Sequence, residues 1–140
     1  MARRMGIDFG IKRMGVAVCD PAEMFATPLC VVPVRGDDHA AREVKRLVDE
    51  TGAESIVIGL PVNMNGTLGP MAERVKAFAE KVRTLTGLAV NLYDERLTSA
   101  MAERTLIEAD VRREKRKNIV DMLAAQSILQ SYMDSLQNKP

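Results

Sequence analysis

The chain has few aromatic residues, one histidine and two cysteines, and these shortages narrow the chemistry open to it. With three Phe, two Tyr and no Trp, it is poorly supplied with the stacking platforms of single-strand nucleic-acid binders. A single histidine, His39, disfavours Ser–His or Cys–His catalysis and most zinc sites. Cys19 and Cys30 lack metal-ligand spacing and are expected to be buried, reduced thiols.

The sequence also lacks a strong net charge and a long apolar run. A formal charge of +1 gives little long-range attraction for polyanions, so nucleic-acid contacts would need a local basic patch. With neither an export signal nor an apolar run of membrane-spanning length, a cytoplasmic protein without a membrane partner is expected. Apolar residues make up 46% of the 140 positions, which excludes a disordered chain and predicts one domain over residues 1–140.

Hydrophobic periodicity predicts an α/β fold. Two strands joined by the turn at residues 10–13 form a hairpin, and strands then alternate with helices after a third strand. The predicted strands cover 4–9, 14–19, 28–32, 55–60 and 88–93; the predicted helices cover about 35–52, 71–85, 98–109 and 118–136. A hairpin meander followed by this alternation implies a mixed sheet with helices on its faces.

Asp8 is the first acidic residue in an unexpected place. It lies in a predicted strand whose neighbours are apolar, where a carboxylate is costly unless it is paired or binds a metal. The alternative is an Asp that accepts hydrogen bonds from the backbone of the Gly10 turn.

Asp121 lies on the apolar stripe of the last predicted helix, together with Ala124, Ala125, Ile128 and Tyr132. A carboxylate on a core-facing stripe needs a partner. The alternative is an Asp near the start of the helix that caps it or complements the macrodipole.

Asp94 and Glu95 follow a predicted strand directly, at the strand end where ligands collect in sheets flanked by helices. Strand alternation does not decide between the two. The alternative is a solvated acidic pair that bridges to Arg96. Carboxylates converging from three elements would suit Mg²⁺ or Mn²⁺, which take oxygen ligands.

Basic and amide side chains near these positions could contact a nucleic-acid backbone. Lys12 and Arg13 lie in the turn next to Asp8, and Lys117 ends a basic run one helical turn before Asp121. A solvated linker is the alternative for the basic run. Asn63 and Asn65 lie in the loop 61–70, where turn formation is the alternative.

Four motifs, in order along the chain, resemble the YqgF/RuvX family of pre-16S rRNA nucleases and Holliday junction resolvase-like proteins. They are the segments 6–17 (GIDFGIKRMGVA), 59–67 (GLPVNMNGT), 93–98 (YDERLT) and 117–132, which contains Asp121-Met122-Leu123-Ala124-Ala125. Together they span residues 6 to about 133.

The resemblance implies an RNase H-like fold with a five-stranded mixed sheet whose first three strands are antiparallel. It also implies a catalytic, metal-binding triad of Asp8, Glu95 and Asp121, with Glu95 rather than Asp94 in the site. The implied function is trimming of the 5′ end of pre-16S rRNA with Mg²⁺ or Mn²⁺. The working hypothesis is a two-metal mechanism in which Asp8 contacts both ions.

In that hypothesis, flanking phosphates are held by Lys12, Arg13, Arg96 and Lys117, and Asn63 and Asn65 contact the nucleic-acid backbone. One alternative is a resolvase of branched DNA, which would need a suitable homodimer, whereas rRNA trimming is open to a monomer. Others are a non-catalytic RNA-binding or transcription-associated module, and an ATPase of the actin and sugar-kinase type. Saturable ATP binding would favour the ATPase.

Overall fold

The computed structural model describes residues 3–22, 24–98 and 113–137. In these ranges five strands and three α-helices are present, with a short 3₁₀ turn after the last strand. The elements are β1 Arg4–Phe9, β2 Arg13–Cys19, β3 Ala26–Pro33, α1 Asp37–Thr51, β4 Ser55–Leu60, α2 Pro70–Thr86, β5 Ala89–Asp94, the 3₁₀ turn Glu95–Leu97 and α3 Arg113–Gln137. The helix predicted for residues 98–109 lies outside the described residues, except for Thr98.

The five strands form one mixed sheet in the order β3-β2-β1-β4-β5. β1 pairs antiparallel with β2, and β2 pairs antiparallel with β3. β4 runs parallel to both β1 and β5. The Gly10 amide donates to the Arg13 carbonyl at 2.9 Å and closes the β1–β2 hairpin. The predicted mixed sheet with three antiparallel strands is therefore confirmed.

The two faces of the sheet are covered by different helices. Along β1, the side chains of Met5, Ile7 and Phe9 join the core under α1 and α2, while Gly6 and Asp8 alternate to the α3 face. The core under α1 and α2 contains the buried Phe78, whose ring stacks on Phe9 with centroids 4.0 Å apart. Asp8 therefore lies in a strand with one strongly apolar face without being part of that face.

α3 lies unusually close to the sheet because glycines stand beneath it. A Cβ on Gly6 would lie 2.6 Å from the Cβ of Leu129, and one on Gly59 would lie 2.5 Å from Cδ1 of Ile128. A Cβ on Gly15 would collide with the backbone carbonyl of Asp121. Side chains at these strand positions would push the helix outward, so the glycines set its distance from the sheet.

α3 begins at Arg113, five residues before the predicted start at Asn118, so that boundary was wrong. The basic run holds no apolar stripe, but Arg, Lys and Glu have high helix propensity and extend the helix at little cost. Asp121 therefore lies eight residues inside the helix. Capping and macrodipole effects act within the first turn, which excludes them as the reason for Asp121.

Two glutamines of α3 bind the edge strand of the sheet. Gln130 accepts a hydrogen bond from the Ala26 amide at 2.8 Å and donates to the Met24 carbonyl at 3.0 Å. Gln126 donates to the Ala26 carbonyl at 3.0 Å. Amide side chains can satisfy a backbone donor and acceptor together, and this pair fastens the helix to the start of β3.

Both cysteines are free thiols, but the burial predicted for both is confirmed only for Cys19. Cys19 is buried and Cys30 is half-buried, and burial raises the pKa of the Cys30 thiol. Among the described helices, none is long and apolar enough to cross a lipid bilayer.

Candidate active site

Asp8 lies between two glycines that belong to the neighbouring strands β2 and β4. It pairs in register with Gly15 of β2 on one side. On the other side Gly59 follows Ile58, the β4 partner of Ile7. Because neither glycine has a side chain, the space on both sides of Asp8 is open to groups from other elements.

Glu95 and Asp121 enter this space from opposite directions. A Cβ on Gly59 would lie 2.8 Å from Oε1 of Glu95, and the backbone of Asp121 rests against Gly15. The structure thus brings the three predicted catalytic residues to one place from β1, the 3₁₀ turn and α3. All three line one cleft of ≈ 460 Å³, together with Phe9, Pro61, Met71 and the hairpin residues 10–13.

Two of the three carboxylates are buried. Asp8 is 7% exposed and Glu95 is 8% exposed, and they are the buried charged side chains of the described residues. The side chain of Asp121 is 15% exposed. Burying a carboxylate in this way is costly unless a partner or a cation compensates the charge.

The 3₁₀ turn separates the roles of Asp94 and Glu95. Asp94 caps the turn by accepting the Arg96 amide at 2.8 Å, and its carboxylate also pairs with the Arg96 guanidinium at 2.8 Å. These hydrogen bonds lower the pKa of Asp94. The Glu95 carbonyl accepts from both the amide and the hydroxyl of Thr98, which closes the turn. The turn directs Glu95 into the cleft, while Asp94 bridges to Arg96 outside it.

Lys12 and Arg13 both line the cleft, as their place in the hairpin suggested. Arg13 has a partner there, because its Nε donates to Oδ2 of Asp121 at 2.8 Å. Arg96 lines a neighbouring groove of ≈ 340 Å³ that shares Pro61, Met71 and Glu95 with the cleft. The predicted phosphate-contacting residues therefore divide between two adjoining depressions.

Asn63 and Asn65 form a turn with Thr67. The Asn63 side chain donates to the Thr67 hydroxyl at 3.0 Å, and the Asn65 side chain accepts from that hydroxyl at 2.6 Å. Gly66, with φ +87°, supplies the left-handed residue of this turn. Asn63 borders the groove that contains Arg96, whereas Asn65 lines neither depression.

Lys117 lies in α3, four residues before Asp121, but its side chain is outside the described part of the structure. The same holds for the side chains of Arg113, Lys115 and Arg116. Phosphate contacts by this basic run stay predictions from the sequence.

The donor set of the cleft suits a hard divalent cation, because it consists of carboxylate oxygens, two of them on buried side chains. In the described ranges, however, no three His, Cys, Asp or Glu side chains are close enough together to hold one ion. One of the three carboxylates, Asp121, is paired with Arg13 in this structure.

Sequence reasoning missed the walls and the floor of the cleft. Phe9, Pro61 and Met71 supply its apolar walls, and Gly15 and Gly59 supply the floor beside Asp8. A signal for the floor was present, since glycine inside a strand pattern marks a close approach of another group. The sequence alone does not show that these two glycines lie beside Asp8, because that depends on the strand register.

Comparison with known proteins identifies the family to which the chain belongs. The family described as "RuvX: Holliday junction resolvase" matches residues 2–135. A relative from Listeria monocytogenes serotype 4b (strain CLIP80459), named "Putative pre-16S rRNA nuclease", is 49% identical over 137 residues, covering 95% of this chain and 98% of the relative. One of the same name from Geobacillus kaustophilus (strain HTA426) is 47% identical over 136 residues, with 95% and 98% coverage.

Solved structures of low sequence identity share the fold. RuvC of T. thermophilus in complex with a Holliday junction substrate matches with a TM-score of 0.60 at 15% identity, covering 99% of this chain and 97% of that one. The fowlpox virus Holliday junction resolvase matches with a TM-score of 0.55 at 14% identity, with 95% and 99% coverage. The fold is therefore the RNase H-like fold of RuvC-type resolvases. Within that class, the chain belongs to the RuvX family of nucleases. The expected fold, family and nuclease class are confirmed.

Proposed function

We propose that this chain is a divalent-metal-dependent nuclease that hydrolyses phosphodiester bonds at the 5′ end of pre-16S rRNA. The convergence of Asp8, Glu95 and Asp121 in one cleft, with two of them buried, carries this proposal. The names of the relatives supply the substrate. Residues 1–140 act as a single nuclease domain in the cytoplasm, where ribosome precursors are processed.

Asp8, Glu95 and Asp121 hold the cation, Mg²⁺ or Mn²⁺, through carboxylate oxygens. Bound there, a pair of such ions supplies a water of lowered pKa as nucleophile and positive charge to stabilise the leaving oxygen. Asp8 would lie between the other two ligands, because it stands between Gly59, which the Glu95 carboxylate approaches, and Gly15, against which the Asp121 backbone rests.

Basic side chains position the substrate. Lys12 and Arg13 at the cleft, Arg96 at the adjoining groove and Lys117 on α3 bind phosphates on either side of the scissile bond. Asn63 at the rim of the groove and Asn65 in the same loop contact the sugar–phosphate backbone. A strand that lies in both depressions passes Glu95, which the two share.

The test is cleavage of a labelled pre-16S 5′-leader RNA in Mg²⁺ or Mn²⁺ by wild type, Asp8→Asn, Glu95→Gln and Asp121→Asn. Each variant should lose at least about a thousandfold in rate, because each removes a charged ligand of the ions that stabilise the transition state. Asp49→Asn is the matched control, because Asp49 is an exposed carboxylate of α1, which packs on the opposite face of the sheet, and its rate should stay within about fivefold of wild type. Thermal unfolding checks that every variant is folded.

A four-way DNA junction is the second substrate, because the family description prints Holliday junction resolvase. Cleavage of the junction but not of the RNA would replace rRNA processing by resolution of branched DNA. Salt-dependent binding without cleavage of either substrate would contradict catalysis and favour a binding module. Cleavage that persists in all three carboxylate variants would contradict the assigned triad.

A further inference from the structure

We propose that Arg13 is a resident counter-ion of Asp121 which the incoming divalent cation must displace, so that Arg13 sets the metal affinity of the cleft. Arg13 is in this sense a positioning residue. The inference rests on the proposed function, because it takes Asp121 as a metal ligand.

The two side chains meet although 108 residues separate them in sequence. Arg13 opens β2, where it pairs in register with Pro33 of β3, and its carbonyl accepts the Gly10 amide. The backbone of Asp121 rests on Gly15, two residues further along the same strand. Both backbones are therefore held by the sheet, and the contact can change only by rotation of the side chains.

The Arg13–Asp121 ion pair is shielded from solvent enough to influence the binding of a cation. The side chains of Asp121 and Arg13 are 15% and 31% exposed, and the Nε to Oδ2 distance is 2.8 Å. An ion pair partly removed from solvent is screened less than a surface pair. A cation entering the cleft meets a carboxylate whose charge is already compensated, and it also meets the repulsion of the guanidinium.

In this proposal, the three carboxylates that line the cleft act together on the cation only after Asp121 has left Arg13. When Asp121 turns to the cation, the Arg13 guanidinium is released at the wall of the cleft, beside Lys12. A phosphate can then take the place of Asp121 as its partner. Binding of metal and binding of phosphate thus favour each other, and such coupling is reciprocal.

The experiment is calorimetric titration with Mn²⁺ of wild type, Arg13→Gln and Lys12→Gln, without nucleic acid. Lys12→Gln is the matched control, because it removes one positive charge from the same cleft, and it should raise the Mn²⁺ affinity by no more than about twofold. Arg13→Gln should raise it by about tenfold, because it also removes the guanidinium that pairs with Asp121. Structural damage would lower the affinity, so a gain separates the two explanations. Equal gains in both variants would overturn the proposal.

A double-mutant cycle tests whether Arg13 acts through Asp121. In an Asp121→Asn background the carboxylate is gone, and Arg13→Gln should then change the Mn²⁺ affinity no more than Lys12→Gln does. A gain of about tenfold that survives in this background would overturn the assigned partner.

One further titration separates failure of this proposal from failure of the proposed function. Asp8→Asn should abolish or strongly weaken Mn²⁺ binding if the cleft is the metal site. If Asp8→Asn binds Mn²⁺ like wild type, the proposed metal site itself is wrong. If Asp8→Asn loses binding but Arg13→Gln matches Lys12→Gln, the metal site stands and the displacement by Arg13 is refuted.

Discussion

The two faces of the sheet differ in the size of the side chains that lie between the strands and the helices. Under α1 and α2, large side chains such as Ile56 and Phe78 fill the space between helices and strands. Under α3, glycines let the helix approach closely: its backbone lies against Gly6 of β1 and Gly15 of β2, and the Ile128 side chain lies against Gly59 of β4. The first face carries the larger buried apolar cluster. The second combines a smaller cluster, which includes Ile128 and Leu129, with glycines that set the distance of the helix from the sheet.

This difference separates stability from function. The candidate catalytic carboxylates lie on the α3 face or at its edge, where a small shift of the helix would displace Asp121. The α1 and α2 face carries most of the buried apolar residues and lies behind Asp8. Mutations on the two faces should therefore affect unfolding and metal binding in different proportions.

The largest loss of stability is expected from Ile56→Ala on the α1 and α2 face. Ile56 is fully buried at the start of β4, and its truncation should lower the free energy of unfolding by about 2–5 kcal/mol. The Mn²⁺ affinity of the folded protein should stay within about twofold of wild type, because Ile56 lies far from the cleft end of β4. Urea unfolding and calorimetry measure the two quantities. A matching loss of metal affinity would show that the faces are not separate.

The opposite pattern is expected from Gly15→Ala on the α3 face. The new methyl group collides with the backbone of Asp121 and should lower the free energy of unfolding by about 1–3 kcal/mol. Because the collision is at Asp121 itself, Mn²⁺ affinity should fall sharply even in folded protein. Unaltered metal binding in Gly15→Ala would refute the role of the glycine.

A smaller effect is expected from Gln130→Ala, which loosens α3 from the edge strand. The substitution removes the side-chain partners of the Ala26 amide and the Met24 carbonyl and should cost about 1 kcal/mol in urea unfolding. Gln137→Ala, at the exposed end of the same helix, should change stability by a few tenths at most. Equal effects of the two substitutions would show that the contact with β3 adds nothing.

The smallest effect is a pH dependence from Asp94. Its hydrogen bonds to Arg96 hold its folded pKa below the ordinary value of 3.8, so the folded state favours the charged form. The resulting stability, at most about 1 kcal/mol, is present above that value and is lost as the pH falls through the lowered folded pKa. Asp94→Asn should therefore be less stable than wild type at neutral pH and should match it in strong acid. In an Arg96→Gln background the neutral-pH difference should shrink, and its persistence would point to another cause.

Periodicity was enough to predict the sheet, because strands such as β4 consist of short apolar runs between turn residues. It failed at the start of α3, where Arg113 to Lys117 extend the helix by propensity without an apolar stripe. Charged helix-forming residues leave no periodic signal, so such a boundary cannot be read from hydrophobicity.

The site was predictable as residue types but not as contacts. Asp8 and Asp121 drew attention because carboxylates are rare on apolar faces. Spacing alone could not choose between Asp94 and Glu95, because the 3₁₀ turn decides which side chain faces the cleft. The Arg13–Asp121 pair was out of reach for the same reason, since it depends on how α3 lies across the sheet.

The contacts of α3 with Gly6, Gly15 and Gly59 fall on three different strands. Because the three contacts do not lie on one line, together they fix both the position and the direction of the helix on the sheet. Asp121 is therefore positioned by the helix as a whole, and it can shift only if α3 tilts or slides over all three supports. Slow amide hydrogen exchange along residues 121–129 should accompany this seating, since local fraying would lift the helix from its supports.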